Sequence, residues 1–444
     1  MTTAAAAGAR DAEERPFGLR HAFLAFRYRD FALFWTAAIV SNTGSWMQSI
    51  TVPYVLYRMT SSGAWLGIAA FANFFPALVV GPWSGSLADR FSRRAIILVT
   101  QSAQMVVAFS LWAVWVAGVA SPWVLLVHLL VYGVASGVNI TSWQSFVPQL
   151  VPRDTMLGAV RLNSMQFTGA RAFGPMLAGL VLAAFGPATS FMANALSFLL
   201  VIGALLLVHP RPAPVEAPTA SYLEHFRAGL AYVRARISLL LAVVTISVVS
   251  FFGSAIIQLA PAIADQQFHV GKAEYGLLVG MFGAGAVLGA LIMSVYGDRV
   301  LRSRMAMTGL AVYTASVFAL AGTPLYGLGL AALFFMGVAY LMISVSLNTS
   351  TQIRVAETYR GRVLSIYLMG LLAGVPFGAL IEGWLADLVG LRVTIGGAGV
   401  VLVAYGLVML ARFGALAPLD QGLEHLDAEL AADPNVGAGP HVPD

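Results

Sequence analysis

Gly85-Ser86-Leu87-Ala88-Asp89-Arg90-Phe91-Ser92-Arg93-Arg94 is a charged turn wedged between two long apolar runs. Trp65 to Trp83 precedes it and Ala95 to Val127 follows it, and neither run carries a formal charge. Inside a bilayer no water reaches the backbone, so runs of this kind must be helices that satisfy their own hydrogen bonds. A four-charge hairpin between two such helices belongs at the membrane surface, and its three arginines mark that surface as cytoplasmic.

Composition agrees. Of 444 residues 59% are hydrophobic and 10% charged, against roughly 25% charged in soluble domains. Mean hydropathy is +0.81. There is no cysteine, which excludes disulfides, thiolate nucleophiles and thiolate metal sites. No His-rich metal spacing, phosphate-binding glycine loop or nucleophile–base pair is present, so the expectation is a protein that is not an enzyme and needs no cofactor. The formal charge of +5 reads as asymmetry across a membrane rather than affinity for nucleic acid. Residues 1–30 form an Ala/Arg/Glu-rich tail without the apolar stretch of a signal peptide.

A span needs about 20 mostly apolar residues. Twelve segments qualify: 31–57, 64–87, 95–119, 122–145, 163–185, 188–208, 238–260, 274–296, 305–322, 325–349, 362–386 and 391–412. With alternating loops, 21 of the 25 cationic residues fall on one side and 3 (Arg58, Lys272, Arg392) on the other, leaving Arg171 within a span. That split places both termini in the cytoplasm and requires an even number of spans.

The chain also repeats itself. Asp89-Arg90-Phe91-Ser92-Arg93 returns as Asp298-Arg299-Val300-Leu301-Arg302, Gln149–Val160 echoes Gln352–Val363, and Phe173-Gly174 with Gly179 echoes Phe377-Gly378 with Gly383, all at offsets of 203 to 209. Two six-span halves follow, residues 31–208 and 238–412, related by a parallel repeat of the kind that places a substrate site at the midplane. Between them, 209–237 holds a proline-rich connector and then an amphipathic stretch expected to lie on the cytoplasmic membrane surface. The acidic tail 413–444 is expected to fray into disorder.

Ionisable groups inside spans are functional candidates, because lipid tolerates them poorly. Arg171 lies ten residues beyond Arg161, about 15 Å along the helix and near the midplane. It could bind an anionic substrate group or a proton-exchanging carboxylate, or else fix helix packing through carbonyls. Gly169, Gly174, Pro175 and Gly179 surround it; Pro175 loosens the helix and the small residues admit a neighbour closely. Glu382 is the carboxylate clearly within a span, and His128 is a histidine within span 4. All three are candidates for proton coupling. For the substrate cavity, Asn42, Ser45, Trp46 and Ser49 share one face of span 1 at i, i+3, i+4 and i+7, flanked by Ser41 and Gln48. Asn139, Trp143 and Gln144 in span 4 and Gln166 in span 5 could join them, with Gln258 and Asn348 as counterparts in the second half. Hydrogen-bonding groups beside aromatic surface suit a bulky amphipathic ligand.

The pattern G-x-L-A-D-R-x-x-R-R at Gly85–Arg94 resembles the loop between spans 2 and 3 of the major facilitator superfamily. The resemblance implies an all-α fold of twelve helices in two pseudo-symmetric bundles. It implies too that Gly85, Asp89, Arg90, Arg93 and Arg94 act as a conformational gate, with Asp298, Arg299 and Arg302 as the weaker twin. Phe31-Ala32-Leu33-Phe34-Trp35, Ser45-Trp46-Met47-Gln48, Thr100-Gln101, Ala170-Arg171-Ala172-Phe173-Gly174-Pro175 and Arg360-Gly361-Arg362-Val363 resemble the enterobactin-exporter branch, also called transmembrane secretion effectors. One departure stands out. Many proton antiporters of the superfamily carry an arginine four residues before a span 4 glycine, where this chain has Leu129 before Gly133. The expected function is proton-coupled efflux of a small amphipathic molecule by a monomer in the cell membrane, energised by the proton-motive force. An importer or facilitator is the alternative within the class, and a lipid-flipping or transport-inactive sensor protein the one outside it.

Overall fold

The computed structural model describes residues 23–211, 222–297, 299–355 and 357–420. Its described part is built of helices, twelve of them long: span 1 Arg29–Thr60, span 2 Gly63–Arg90, span 3 Arg93–Val116, span 4 Pro122–Phe146, span 5 Met156–Phe185, span 6 Pro187–Leu207, span 7 from Ile237, span 8 Lys272–Tyr296, span 9 Arg302–Gly322, span 10 Tyr326–Arg354, span 11 Glu357–Val389 and span 12 Leu391–Ala411. Eleven are long and apolar enough to cross a membrane. Span 1 falls short in composition because Ser41 to Ser49 interrupts its apolar run, yet it is a continuous helix of 32 residues.

Local chemistry sets the ends. Ser62, Ser92 and Ser121 each accept a hydrogen bond from the backbone N–H three residues on (Trp65, Ala95, Val124), capping spans 2, 3 and 4. Gly186 and Gly390 adopt positive φ of 80° and 94° between spans 5 and 6 and spans 11 and 12, where a side chain would be disfavoured. Span 5 begins at Met156 rather than 163, and span 11 at Glu357 rather than 362. Helices continue past the apolar stretch that reveals them, because polar residues at a membrane surface still favour the helical ladder.

Span 7 departs most from expectation. Its α-helix stops at Phe252, a 3-10 stretch covers Ser254–Leu259, and helical turns run on to Gln267. The break sits at Gly253, where an added Cβ would lie 2.7 Å from the Tyr313 hydroxyl. Pro261, lacking an N–H, follows.

Helix neighbours show the internal repeat directly. In the first half span 1 packs on 5 and 6, 2 on 4, and 3 on 4 and 6; in the second half 7 packs on 11 and 12, 8 on 10, and 9 on 10 and 12. Adding six to each number converts one set into the other. The halves meet through two substantial helix pairs, 2 with 11 and 5 with 8, which are themselves interchanged by the same operation.

The connector helix Tyr222–Ala235 packs part of its apolar face on span 11. Tyr232 and Val233 are buried with Val355, Val363 and Ile366, and the Tyr232 and Tyr359 rings stack at 4.6 Å. Gly229 admits Arg362 and Ile366 closely enough that an added Cβ would lie 3.0 Å from each. That part of the apolar face is covered by protein because span 11 extends a turn beyond its apolar core and offers Tyr359 to it. After span 12 a 3-10 turn covers Phe413–Asp420, and Asp420 accepts hydrogen bonds from the Ser303 N–H (2.8 Å) and hydroxyl, capping span 9. The remainder of the acidic tail and the tail before Phe23 lie outside the described residues.

Candidate functional site

The two ends of the bundle differ in how the halves meet. One end carries the arginine-poor turns around 61–62, 117–121, 186, 268–271, 323–325 and 390; the other carries the arginine-rich connections. At the arginine-poor end one apolar core runs across the seam, joining Met47, Ile50, Tyr57, Leu66 and Ala178 of the first half to residues of spans 7 to 12. Toward the arginine-rich end each half has a core of its own: Phe31, Phe34, Trp143, Phe146 and Leu162 in the first, Leu239, Val355, Val363 and Ile366 in the second.

Glycines permit the closure. Added Cβ atoms would lie 2.7 Å from the Gly276 Cα at Gly179, 2.8 Å from the Gly383 carbonyl at Gly63, and 2.6 Å from the Ala172 Cα at Gly283. Gly174 lets Trp46 of span 1 approach in the same way, whereas Gly169 faces open space. Polar contacts lock the end. Asp387 of span 11 accepts from the Gly63 N–H at 2.6 Å, the Ala64 N–H at 3.0 Å and the Ser62 hydroxyl at 2.5 Å, capping span 2 from the opposite half. Gln266 donates to the Tyr57 hydroxyl at 2.9 Å, the Tyr275 hydroxyl donates to the Ile50 carbonyl at 3.0 Å, and Arg58 lies 3.4 Å from Asp265.

A cavity of about 750 Å³ opens from mid-depth toward the arginine-rich end, within the range of small-molecule sites. Its wall comes from the first half: Ser41, Asn42, Ser45, Trp46 and Ser49 of span 1, Asn73 and Phe74 of span 2, Gln101 and Gln104 of span 3, Tyr132, Asn139, Trp143 and Gln144 of span 4, and Asn163, Phe167 and Thr168 of span 5. Thr100 donates to the Asn139 carbonyl oxygen at 2.9 Å and the Trp143 indole to that of Asn163 at 3.2 Å, orienting both amides. The Asn42 Nδ2 and the Gln101 Oε1 are buried without a hydrogen-bond partner.

Other expected cavity residues lie elsewhere. Gln48 is buried in the seam between spans 1 and 6, its oxygen accepting from Asn194 at 2.8 Å. Gln166 is buried outside the wall, with neither amide atom bonded. Asn348 accepts from Gln352 one turn on at 2.5 Å, and Gln258 sits half-buried in the 3-10 stretch of span 7. Asn73, Gln104 and Asn163 escaped sequence reasoning; amides at i and i+3 on otherwise apolar span 3 (Gln101, Gln104) were the signal available.

Arg171 stands beside this cavity, at the junction of the halves. Its guanidinium carbon is 5.6 Å from the Trp46 ring, 5.8 Å from Phe282 and 5.8 Å from Tyr340. Trp46 thus both lines the cavity and lies against the arginine. Arg171 makes no ion pair with a described residue, and each ring offsets its charge by only about 0.5–2 kcal/mol.

Glu382 lies in the second half, 3% exposed, and neither carboxyl oxygen has a hydrogen-bond partner. The buried Tyr313 hydroxyl has Ser254 beside it, and Tyr313 lies within electrostatic reach of both Glu382 and Arg171. An ionised carboxylate so placed costs several kcal/mol, a protonated one far less. His128 is engaged instead: Nδ1 lies 2.7 Å from the Val124 carbonyl and Nε2 3.0 Å from Ser110, tying span 4 to span 3.

Of the expected gate, Arg90 and Arg299 are exposed, and Arg93 and Arg302 are half-buried. Arg94 donates to the Leu206 carbonyl at 2.9 Å, within the first half rather than across the seam. The surroundings of Gly85 and the Asp89 side chain are not among those described, and Asp298 lies outside the described residues.

Comparison with known proteins bears on this arrangement. The profile of a family described as transmembrane secretion effector matches residues 21–430. The staphyloferrin A transporter of Staphylococcus aureus is 24% identical over 378 residues, covering 81% of this chain and 90% of its own. The enterobactin exporter EntS of Escherichia coli O1:K1 is 27% identical over 391 residues, covering 86% and 91%. Among solved structures, a bacterial homologue of the human lysosomal transporter Spinster, captured inward-facing and occupied, superposes with a TM-score of 0.73 at 13% identity over 89% of this chain and 99% of that one.

Proposed function

The chain belongs to the transmembrane secretion effector family of major facilitator transporters, and on that premise we propose that it exports a small amphipathic molecule bearing an anionic group, of the siderophore or secondary-metabolite kind. Multi-pass membrane insertion and transport follow from the family; substrate, direction and energy source are the proposal. The arginine-rich end faces the cytoplasm by the positive-inside rule, so the conformation described is closed outward and loads from within. Alternating access then needs only that the seam at the arginine-poor end part while the other end closes.

Arg171 carries the reading. A guanidinium held near mid-depth by three aromatic rings, paired with no carboxylate among the described residues, lacks the anion that a substrate can bring. Two relatives named for a staphyloferrin and for enterobactin support a siderophore-like ligand. Glu382 supplies the return stroke: a proton taken up there when the outer seam opens biases the carrier back toward the inward-open state. Tyr313 lies within electrostatic reach of Glu382 and also of Arg171, and so stands between the two sites. His128, with both ring nitrogens engaged, is not assigned to coupling.

The test is accumulation of an anionic fluorescent efflux dye in cells expressing the chain. Accumulation falls on expression and recovers with a protonophore; Arg171→Ala abolishes the effect, and Glu382→Gln leaves any residual export indifferent to the proton gradient. Increased uptake on expression overturns the direction, and a normal Arg171→Ala variant overturns the role of that residue.

A further inference from the structure

The cavity and Arg171 are adjacent but chemically unlike. Among the described residues the cavity wall holds no Asp, Glu, Lys, Arg or His. It offers amides and hydroxyls from five helices between indole and phenyl faces. Asn42 and Gln101 are among the lining amides, although the Asn42 Nδ2 and Gln101 Oε1 atoms themselves are buried in protein without a partner. The lining amides and hydroxyls together supply donors and acceptors, which matches a ligand presenting both. A multiply charged ligand would fare badly there, since nothing on the wall replaces the water lost from a second or third charge. Beside Trp46 the chemistry inverts. Arg171 provides one fixed positive charge, 5.6 Å from the face of the same indole.

We propose that the substrate is bipartite: an uncharged aromatic body rich in amide or hydroxyl groups fills the cavity of the first half, and a single anionic group extends past Trp46 to Arg171. This rests on the transport reading above but is narrower. Trp46 joins the two parts of the selection, stacking on the body and lying against the arginine. The wall recognises hydrogen-bonding shape, the arginine counts charge, and a polyanion satisfies only the second. A cationic amphiphile of the same size satisfies the wall and is repelled at the junction.

The dansyl group separates these terms, because dansylglycine, dansylamide and dansylcadaverine share one aromatic sulfonamide body and carry an anion, no charge and a cation. Trp46 and Trp143 line the cavity, so energy transfer from tryptophan to dansyl reports binding to the purified full-length protein in detergent. Dansylglycine should bind about tenfold more tightly than dansylamide, the value of one charge-assisted contact, and dansylcadaverine more weakly than either. Arg171→Gln should bring dansylglycine down to the dansylamide level, while Arg171→Lys restores part of the preference. Asn42→Leu combined with Gln101→Leu should weaken all three probes by a common factor, and unlabelled citrate, a polyanion without the aromatic body, should compete poorly. Equal affinities for the three probes, tightest binding of the cation, an unchanged preference in Arg171→Gln, or effective competition by citrate would each overturn the proposal. Export is judged separately. Cells in which dansylglycine binds in this order but is not expelled contradict the export reading and leave the bipartite pocket standing, whereas expulsion of all three probes alike does the reverse.

Discussion

Replacing Asp387 by alanine removes the carboxylate that caps the start of span 2 from the opposite half of the molecule. Three hydrogen bonds go with it, from Ser62, Gly63 and Ala64. Within one helix, loss of such a cap costs about 0.5–2 kcal/mol, and the charge adds a few tenths through the helix dipole. Asp387 is exposed at this end, so screening and rehydration of the freed N–H groups hold the loss to about 1 kcal/mol. Here the cap exists only while the seam is closed, so the whole loss falls on one side of the conformational equilibrium. The ratio of open to closed seam should therefore rise about fivefold. The chain has no cysteine, which makes the measurement direct: spin labels on Met59→Cys and Leu388→Cys, both exposed near the arginine-poor end of opposite halves, report the separation by electron–electron resonance. In an Asp387→Ala background the long-distance population should grow by that factor, and Asp387→Asn, which keeps one acceptor oxygen, should fall between. An unchanged distance distribution, or growth of the short-distance population, would show that the trans cap does not hold the seam.

Gly276 is the second lever. Its Cα hydrogens lie against the backbone of span 5, and an added Cβ would sit 2.6 Å from the Gly179 N atom and 2.7 Å from the Pro175 carbonyl. Gly276→Val should prevent closure at this end and abolish transport while melting within a few degrees of the parent; full transport by the variant would show that spans 5 and 8 need not approach so closely. The connector helix offers a third. Tyr232→Ala deletes the stacked ring on Tyr359 and part of the buried face, so trypsin should cut at Arg227 or Arg234 about tenfold faster, and an unaltered cleavage rate would mean that the helix is held by other contacts.

The membrane path of the chain was legible because the bilayer enforces it. Uncharged runs must be helices, and arginine counts alternate with the loops. The polar face of span 1 was legible for the same periodic reason: Asn42, Ser45, Trp46 and Ser49 all reach the cavity wall. Gln48, six residues on from Asn42 and so about 240° around the helix, turns instead to Asn194. What escaped depends on partners distant in sequence. The role of Asp387 left no trace in the local sequence, because the N–H groups it caps lie 323 and 324 positions away. The break in span 7 was hidden too, since Gly253 in an apolar run gives no hint that the ring of Tyr313 will occupy its missing side chain. The connector helix was amphipathic as read, but amphipathicity alone does not say whether lipid or protein covers the face.

The contacts that close the arginine-poor end explain how one chain can occupy two states. Glycine-to-backbone approaches at 63, 179 and 283 need no side chain to repack when helices separate. The polar locks are single hydrogen bonds of about 1 kcal/mol net and one exposed ion pair, Arg58–Asp265, worth less. Nothing in that set resembles a buried charge pair, whose rupture costs about 3–5 kcal/mol. Inverting a two-state preference from 1:99 to 99:1 takes about 5.5 kcal/mol of differential binding. One anion meeting Arg171 and a handful of hydrogen bonds from the cavity wall are of that order, provided they form unequally in the two states. The asymmetry is already visible: the wall belongs to the first half and two of the rings around Arg171, Phe282 and Tyr340, belong to the second. A ligand bridging them gains contacts when the halves rock together around it, and it loses them when they part toward the far side.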